Sequence, residues 1–374
     1  MHKSLRLLSQ LSALSLVLGA VGCTQSDSTQ PQTDAESVTG PQVVASHSVL
    51  CDMTEQIAQD TVDLSCLIDA GQDPHTYSAT PADRRAVEDA DLVLYGGYSF
   101  EPEIIQMIEA TDTPAPKVAV SEVSVSDPLL GEPHDHDHDH GEGEAHTERE
   151  HEDEHEHHAE GEVHSEDEHH AEDEHEHHAE GEMVPDPHVW HNAKNGIAMA
   201  RVVQAQLSEL SPENAELYET NAETLIAQIE QLDTWIQAQI DTIPASSRTL
   251  ISTHEALGYY ADAYGIELEP ALDGFSTEGE PSAADVKELT EVVESKSVPS
   301  IFVESTSNPG LIETVSRETD IAVSQDPIYA DGLGSSETSA ATYQGMLITN
   351  TCTIVNGLGG TCDQAASEAF LSAQ

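Results

Sequence analysis

Apolar residues in this chain fall into short runs separated by amphipathic segments, and the alternation occurs twice along its length. Val43 to Leu50 is an apolar run with β-branched residues that reads as a strand, followed by a short helix over Met53 to Asp60. Val62 to Ile68 reads as a second strand and leads into the turn Gly71-Gln72-Asp73-Pro74-His75. Thr80-Pro81 opens a helix that runs to Ala90, Leu92 to Tyr95 is a third strand, and Lys117 to Val120 a fourth. Strands that alternate with helices predict parallel βαβ units.

The pattern resumes after residue 186 with a helix over Asn195 to Leu210. Ser211-Pro212-Glu213 combines a capping residue, a first-turn proline and an acidic group, and opens a helix reaching about Ile240. Its apolar positions are Leu225, Ile229, Leu232, Ile236 and Ile240. Close to thirty residues at 1.5 Å each span roughly 45 Å, more than one small domain needs, so this helix is expected to link two lobes. Pro244 closes it and a second βα alternation begins. Leu250-Ile251 leads to His254, Ala256 to Tyr264 and Pro281-Ser282 to Ser295 are helices, and Ile301-Phe302-Val303 is a strand ending at Glu304. A helix over Asn308 to Thr319, a strand at Ile321-Ala322-Val323 and a last helix over Thr338 to Asn356 complete the series. The expected fold class is α/β: two lobes, each a mainly parallel sheet flanked by helices, over 43–210 and 244–374, joined by one long helix at 211–243.

The N-terminal lobe is interrupted at 131–182 by a tract with almost no apolar residue, which predicts a disordered insert. Fifteen of the 21 histidines lie there, interleaved with carboxylates from His134-Asp135-His136-Asp137-His138-Asp139-His140 onward. Neutral imidazole and carboxylate are both ligands for divalent metals, so His134, His136, His138, His140, His155, His157, His158, His175, His177 and His178 form a candidate low-affinity metal collector. Glu152 to Glu162 recurs letter for letter at Glu172 to Glu182, too short and too polar for a solenoid unit. Twelve basic against 71 acidic residues give a net charge of −59, which excludes nucleic acid or an anionic membrane surface as an electrostatic partner and favours cations.

At the N-terminus, Lys3 and Arg6 precede the apolar run Leu7 to Val21, the pattern of a secretory signal peptide over 1–22. Cys23 directly after it resembles a lipoprotein processing site, with Ala20 where a leucine is usual, and residues 23–42 would be a flexible tether. Export places the other four cysteines, Cys51, Cys66, Cys352 and Cys362, in an oxidising compartment. Three connectivities are open to them; pairing Cys51 with Cys66 and Cys352 with Cys362 closes the shortest loops.

Functional groups of open α/β folds gather at the carboxyl ends of strands. His75 follows the second strand, His254 the first strand of the second lobe and Asp331 the last, while His188 opens the return from the tract. Three imidazoles and one carboxylate make a tetrahedral nitrogen and oxygen set that suits zinc better than calcium or magnesium. Any one of these histidines alone is more often an ordinary loop residue. Two Asp-Pro-His segments in an acidic, exported chain favour the joint reading. Glu304 stands where it could orient a ligand imidazole. His191 reads as a supporting or solvent-facing residue, and His47 as a buried, hydrogen-bonded histidine or a lobe-interface group.

Asp73-Pro74-His75-Thr76-Tyr77, Asp186-Pro187-His188-Val189-Trp190, Ser252-Thr253-His254-Glu255-Ala256-Leu257-Gly258-Tyr259 and Tyr329-Ala330-Asp331-Gly332-Leu333 resemble the ligand segments of the zinc and manganese ABC transporter solute-binding proteins, the zinc-uptake branch in particular. The likeness covers about residues 43 to 360. It implies two lobes joined by a single rigid helix, a divalent metal held between them by His75, His188, His254 and Asp331, a periplasmic location, and delivery to an ABC permease in the inner membrane. Manganese members tend to carry Glu at the position of His254, so the resemblance implies Zn2+ as the transported ligand. A monomer is expected. The competing readings are a manganese-binding homologue, an exported zinc buffer, or a zinc hydrolase in which Asp331 or Glu255 acts on a bound water. Ala256-Leu257-Gly258 after Glu255 does not complete an H-E-x-x-H helix, and no nucleophile accompanies the set.

Overall fold

The first half of the chain is organised by a four-stranded parallel sheet in the order β2-β1-β3-β4, with β1 Gln42–Ala45, β2 Asp63–Cys66, β3 Leu92–Tyr95 and β4 Lys117–Ala119. The structure is a computed structural model that describes residues 40–131, 183–271, 275, 277, 282–296 and 298–371. The signal peptide, Cys23, most of the tether and all the tract histidines named above lie outside these residues.

The first expected strand is shorter than its apolar run. It opens at Gln42 and ends at Ala45, and Ser48–Ala58 is helix α1. Val49, Leu50, Met53 and Ile57 are buried on one face, a helical spacing hidden inside a run that also satisfies a strand. Helix α2 (Pro81–Asp89) starts as expected, with a reciprocal capping box between Thr80 and Asp83. Helix α3 (Pro102–Ala110) was not anticipated, although Pro102 in the first turn and the buried pair Ile104 and Ile108 four apart carry its signal. After the short helix α4 (Val120–Ser124), strand β5 (Leu130–Gly131) pairs antiparallel with β6 (Val184–Pro185). The tract is therefore rooted at both ends in one two-residue ladder, and its far end runs directly into Asp186-Pro187-His188.

Helix α5 (Ala193–Leu210) leads to the long helix α6 (Ala215–Ile240), 26 residues and about 39 Å. Ser211 does not cap α6. Pro212–Asn214 makes a separate 3-10 turn and the buried Ser211 hydroxyl has no partner. Buried Tyr218, Leu225, Ile229, Leu232 and Ile236 line the packed side of α6.

The second half pairs β7 (Thr249–Ser252) with β8 (Glu267–Pro270), and β9 (Ser300–Ile301) with β10 (Ala322–Val323), both parallel. The Phe302 N–H donates to Ile251 O (3.0 Å) and joins the two pairs. Helices α7 (Gly258–Tyr264), α8 (Ala283–Lys296) and α9 (Gly310–Thr319) alternate with these strands. The last long helix, α10 (Tyr343–Gly357), begins five residues later than the sequence pattern suggests, where the Thr342 side chain accepts the Gly345 N–H. It packs with α11 (Gln364–Leu371) and α1 against α6. The two halves thus form the expected pair of α/β lobes with a long helix between them, and the largest of three hydrophobic clusters among the described residues runs from Val43 through α5 and α6 to Leu358. Both short-loop disulfides are present, Cys51–Cys66 and Cys352–Cys362. No described helix is long and apolar enough to cross a membrane.

Candidate metal centre

The two Asp-Pro-His segments fold in the same way. Asp73 Oδ1 accepts the His75 N–H (2.9 Å), and Asp186 Oδ1 accepts the His188 N–H (2.8 Å). Each aspartate caps its own backbone two residues on, the Asx turn that this residue type favours, and so aims the following imidazole. Asp186 Oδ1 also accepts from His188 Nδ1 (2.9 Å), which leaves the His188 Nε2 lone pair free. The second oxygen of Asp73 accepts the Thr277 hydroxyl.

In the second half, His254 follows β7 directly. Its Nδ1–H donates to Glu304 Oε2 (2.6 Å), while Glu304 Oε1 accepts the N–H groups of Thr253 (2.9 Å) and His254 (3.2 Å). The Ser307 hydroxyl completes the cradle on Glu304 Oε2 at 2.9 Å. Glu304 therefore orients His254, as its place at a strand end suggested.

These elements bring the four expected residues to one buried point. Asp331 Oδ1 lies 3.4 Å from His75 Nε2, 3.4 Å from His188 Nε2 and 3.2 Å from His254 Nε2, and the first two Nε2 atoms are 3.3 Å apart. The side chains of all four are buried, and one ligand atom from each falls within 4.8 Å of every other. A tetrahedron with arms of 2.0–2.1 Å, the zinc–imidazole distance, has edges of about 3.3–3.4 Å. His254 Nε2 and Asp331 Oδ1 are fully buried and make no aligned hydrogen bond, which is the condition of donor atoms that face an ion rather than each other.

Burial pushes the His75 imidazole below its ordinary range. Burial acts the same way on His188, but its hydrogen bond to Asp186 and the Asp331 carboxylate close to its Nε2 outweigh it and raise the group. His254 is held well above the ordinary value, because the Glu304 and Asp331 charges overcome its desolvation. Desolvation would raise Asp331, yet the His254 charge and the three imidazoles hold it well below the usual carboxylate range. The site is thus a negative point lined with imidazoles, where a bound cation would replace the proton charge that compensates it.

Two contributors, Phe100 and Thr306, carry no signal in the sequence, and His191 takes the supporting one of its two expected roles. Phe100 closes one side, edge-on to His75 (5.1 Å) and His188 (5.5 Å). It is delivered by a loop in which Gly97, Tyr98 and Ser99 all have positive φ. Thr306 donates its hydroxyl to Asp331 Oδ2. His191 faces no solvent: it is buried, and its Nε2–H donates to Ala330 O (2.7 Å), beside Asp331. His47 is buried as expected, but neither ring nitrogen has a hydrogen-bond partner; it packs on Phe100 (5.1 Å) and Trp190 (5.4 Å).

Residues 43–357 match the family described as zinc-uptake complex component A, periplasmic. The chain belongs to this family. Members of the zinc-uptake component A family are substrate-binding transport proteins and not enzymes, so the chain is a periplasmic metal-binding component of ABC metal uptake. Curated relatives include the manganese-binding lipoprotein MntA of Halalkalibacterium halodurans, 28% identical over 92% of this chain and 95% of that protein. The zinc-binding protein TroA of Treponema pallidum is 28% identical over 87% of this chain and 91% of that one. The solved structure of the periplasmic zinc-binding protein TroA superimposes with a TM-score of 0.67 at 27% identity, covering 85% of this chain and 99% of TroA.

Proposed function

We propose that this chain is the high-affinity zinc-binding component of its transporter, holding Zn2+ between the two lobes through His75, His188, His254 and Asp331 and passing it to an inner-membrane ABC permease. The observation that carries the reading is the buried set of four donor atoms with contacts at the edge lengths of a zinc tetrahedron. Relatives named for zinc and for manganese are equally similar, so the choice between them rests on chemistry. Three imidazoles and one carboxylate are softer than the oxygen-rich sets that suit manganese. With all four donors from the protein the set is closed, the character of a site that holds a metal rather than one that activates water.

In this reading residues 1–22 export the chain, Cys23 carries a lipid anchor, 23–42 tether it, and it works as a monomer. The tract is a low-affinity collector whose histidines His134 to His178 raise the local zinc concentration beside the pocket. The lobes span 43–210 and 244–374, with 211–243 as the link.

A metal-competition titration tests the assignment on a chain lacking 133–182, a deletion that spares the β5–β6 ladder, with His254→Glu beside it. The shortened chain is expected to keep one tight zinc site, and His254→Glu to move preference toward manganese. Loss of all tight zinc binding on deletion would sink the reading.

A further inference from the structure

Asp331 has two oxygens and the fold treats them differently. Oδ1 faces the three Nε2 atoms at 3.2–3.4 Å and has no hydrogen bond of its own. Oδ2 accepts the Thr306 hydroxyl on the other side. We propose that Thr306 sets metal selectivity by holding Asp331 to a single donor oxygen. The proposal rests on the assignment of Asp331 and the three histidines as the ligands.

The restraint is firm because neither partner is free to follow the ion. Thr306 sits in the turn after β9 that also carries Glu304 and Ser307, and Glu304 is fixed by the four hydrogen bonds described above. The Ser305 N–H donates to Ile328 O (2.8 Å), which ties the same turn to the segment leading to Asp331. On the same flank His191 holds Ala330 O, and the other flank is held at Leu333. The Leu333 N–H donates to Ser48 Oγ (2.9 Å), and Leu333 O accepts the Gly71 N–H (3.1 Å). The main chain on both sides of Asp331 is therefore anchored, and the remaining freedom is rotation of the carboxylate. Turning it to present both oxygens breaks the Thr306 bond.

One turn thus sets both ligands of the second half, His254 through Glu304 and Asp331 through Thr306. The consequence is a coordination number. Four fixed donors make a closed tetrahedron, which zinc accepts without loss; manganese, which favours more numerous oxygen donors, is left under-coordinated. Removing the hydroxyl releases Oδ2 as a fifth donor and relaxes that discrimination. Thr306 is in this sense a positioning residue, acting on the ion through Asp331.

X-ray absorption at the zinc edge of the full chain, loaded sub-stoichiometrically so that the tightest site fills first, reads this directly. Four nitrogen and oxygen donors are expected; five, with both Asp331 oxygens bound, would overturn the proposal without any variant. Thr306→Val is then expected to lower the ratio of zinc to manganese affinity by about tenfold or more, the scale of lost support behind a metal ligand. Thr306→Ser, which keeps the hydroxyl, should keep the ratio, and the thermal midpoint of each metal-free variant checks its folding. Equal weakening of both metals by Thr306→Val would mark a purely structural role and refute selectivity. Failure of the underlying ligand assignment looks different: His75→Ala would then leave tight zinc binding undiminished.

Discussion

His47 and His191 are imidazoles that the fold keeps neutral. Burial pushes both down to about 3, while the buried carboxyls of Glu101 and Asp52, elsewhere in the first half, are pushed up by burial to about 7 and about 6. The two kinds of group load stability in opposite directions. A histidine depressed from 6.5 contributes stability that is present above that value and lost as pH falls toward about 3. A glutamic acid raised from 4.5 contributes stability that is present below that value and lost as pH rises through about 7. His47→Phe keeps an aromatic ring against Phe100 and Trp190 but removes one titrating group. The thermal midpoint of the metal-free variant should therefore fall less steeply than that of the parent between pH 6.5 and 3. Parallel curves would show that His47 is not the group that charges. The sequence placed His47 inside the protein, but the absence of any partner on its ring depended on which residues came to surround it.

Helix α6 makes the lobes one object. It packs against α1 and α5 from the first half and α7, α10 and α11 from the second, and its buried face carries Leu225, Ile229, Leu232 and Ile236. Ile229 is completely buried near the middle. Ile229→Ala should cost about 2–5 kcal/mol in denaturant unfolding, from lost transfer energy and the cavity left behind. Zinc affinity of the folded variant should be unchanged, because no metal-site residue lies on α6. A loss of affinity with little loss of stability would mean that the helix tunes the site instead of carrying it. This element was legible from its apolar spacing alone. Strand β1 and helix α1 were not separable in the same way, since Val43 to Leu50 satisfies both periods and only packing against α5 and α6 selects the helix from Ser48 onward.

Across the whole molecule the metal point is bracketed by links between elements distant in sequence. Asp52 accepts the Tyr343 N–H (2.8 Å), Gln344 bonds Gln56 (2.8 Å) and Gln228 (2.7 Å), and Ser48 and Gly71 hold Leu333. These bonds and the continuous core tie α1, α6 and α10 together on the same side as the Asp331 loop. Wide hinge opening would break them together, so metal-dependent change is expected in the loops that carry His75, His188 and Asp331. Small-angle scattering of metal-free and zinc-loaded protein should give the same radius of gyration and distance distribution. A large closure on loading would show that the links give way.

The sequence by itself determined the α/β alternation, the long helix and the four candidate ligands, because hydrophobic period, capping residues and the repeated Asp-Pro-His are local signals that survive without a fold. For the tract, composition alone carries the expectation of a metal collector, and its histidines lie outside the described residues. Only the tertiary structure decided how the ligands are held. Asp331 and Thr306 lie 25 residues apart, His191 and Ala330 139 apart, and His254 and Glu304 50 apart. A hydrogen bond across such separations leaves no mark in spacing or periodicity; it exists only when packing fixes both partners, and that packing chooses how many oxygens the metal is offered.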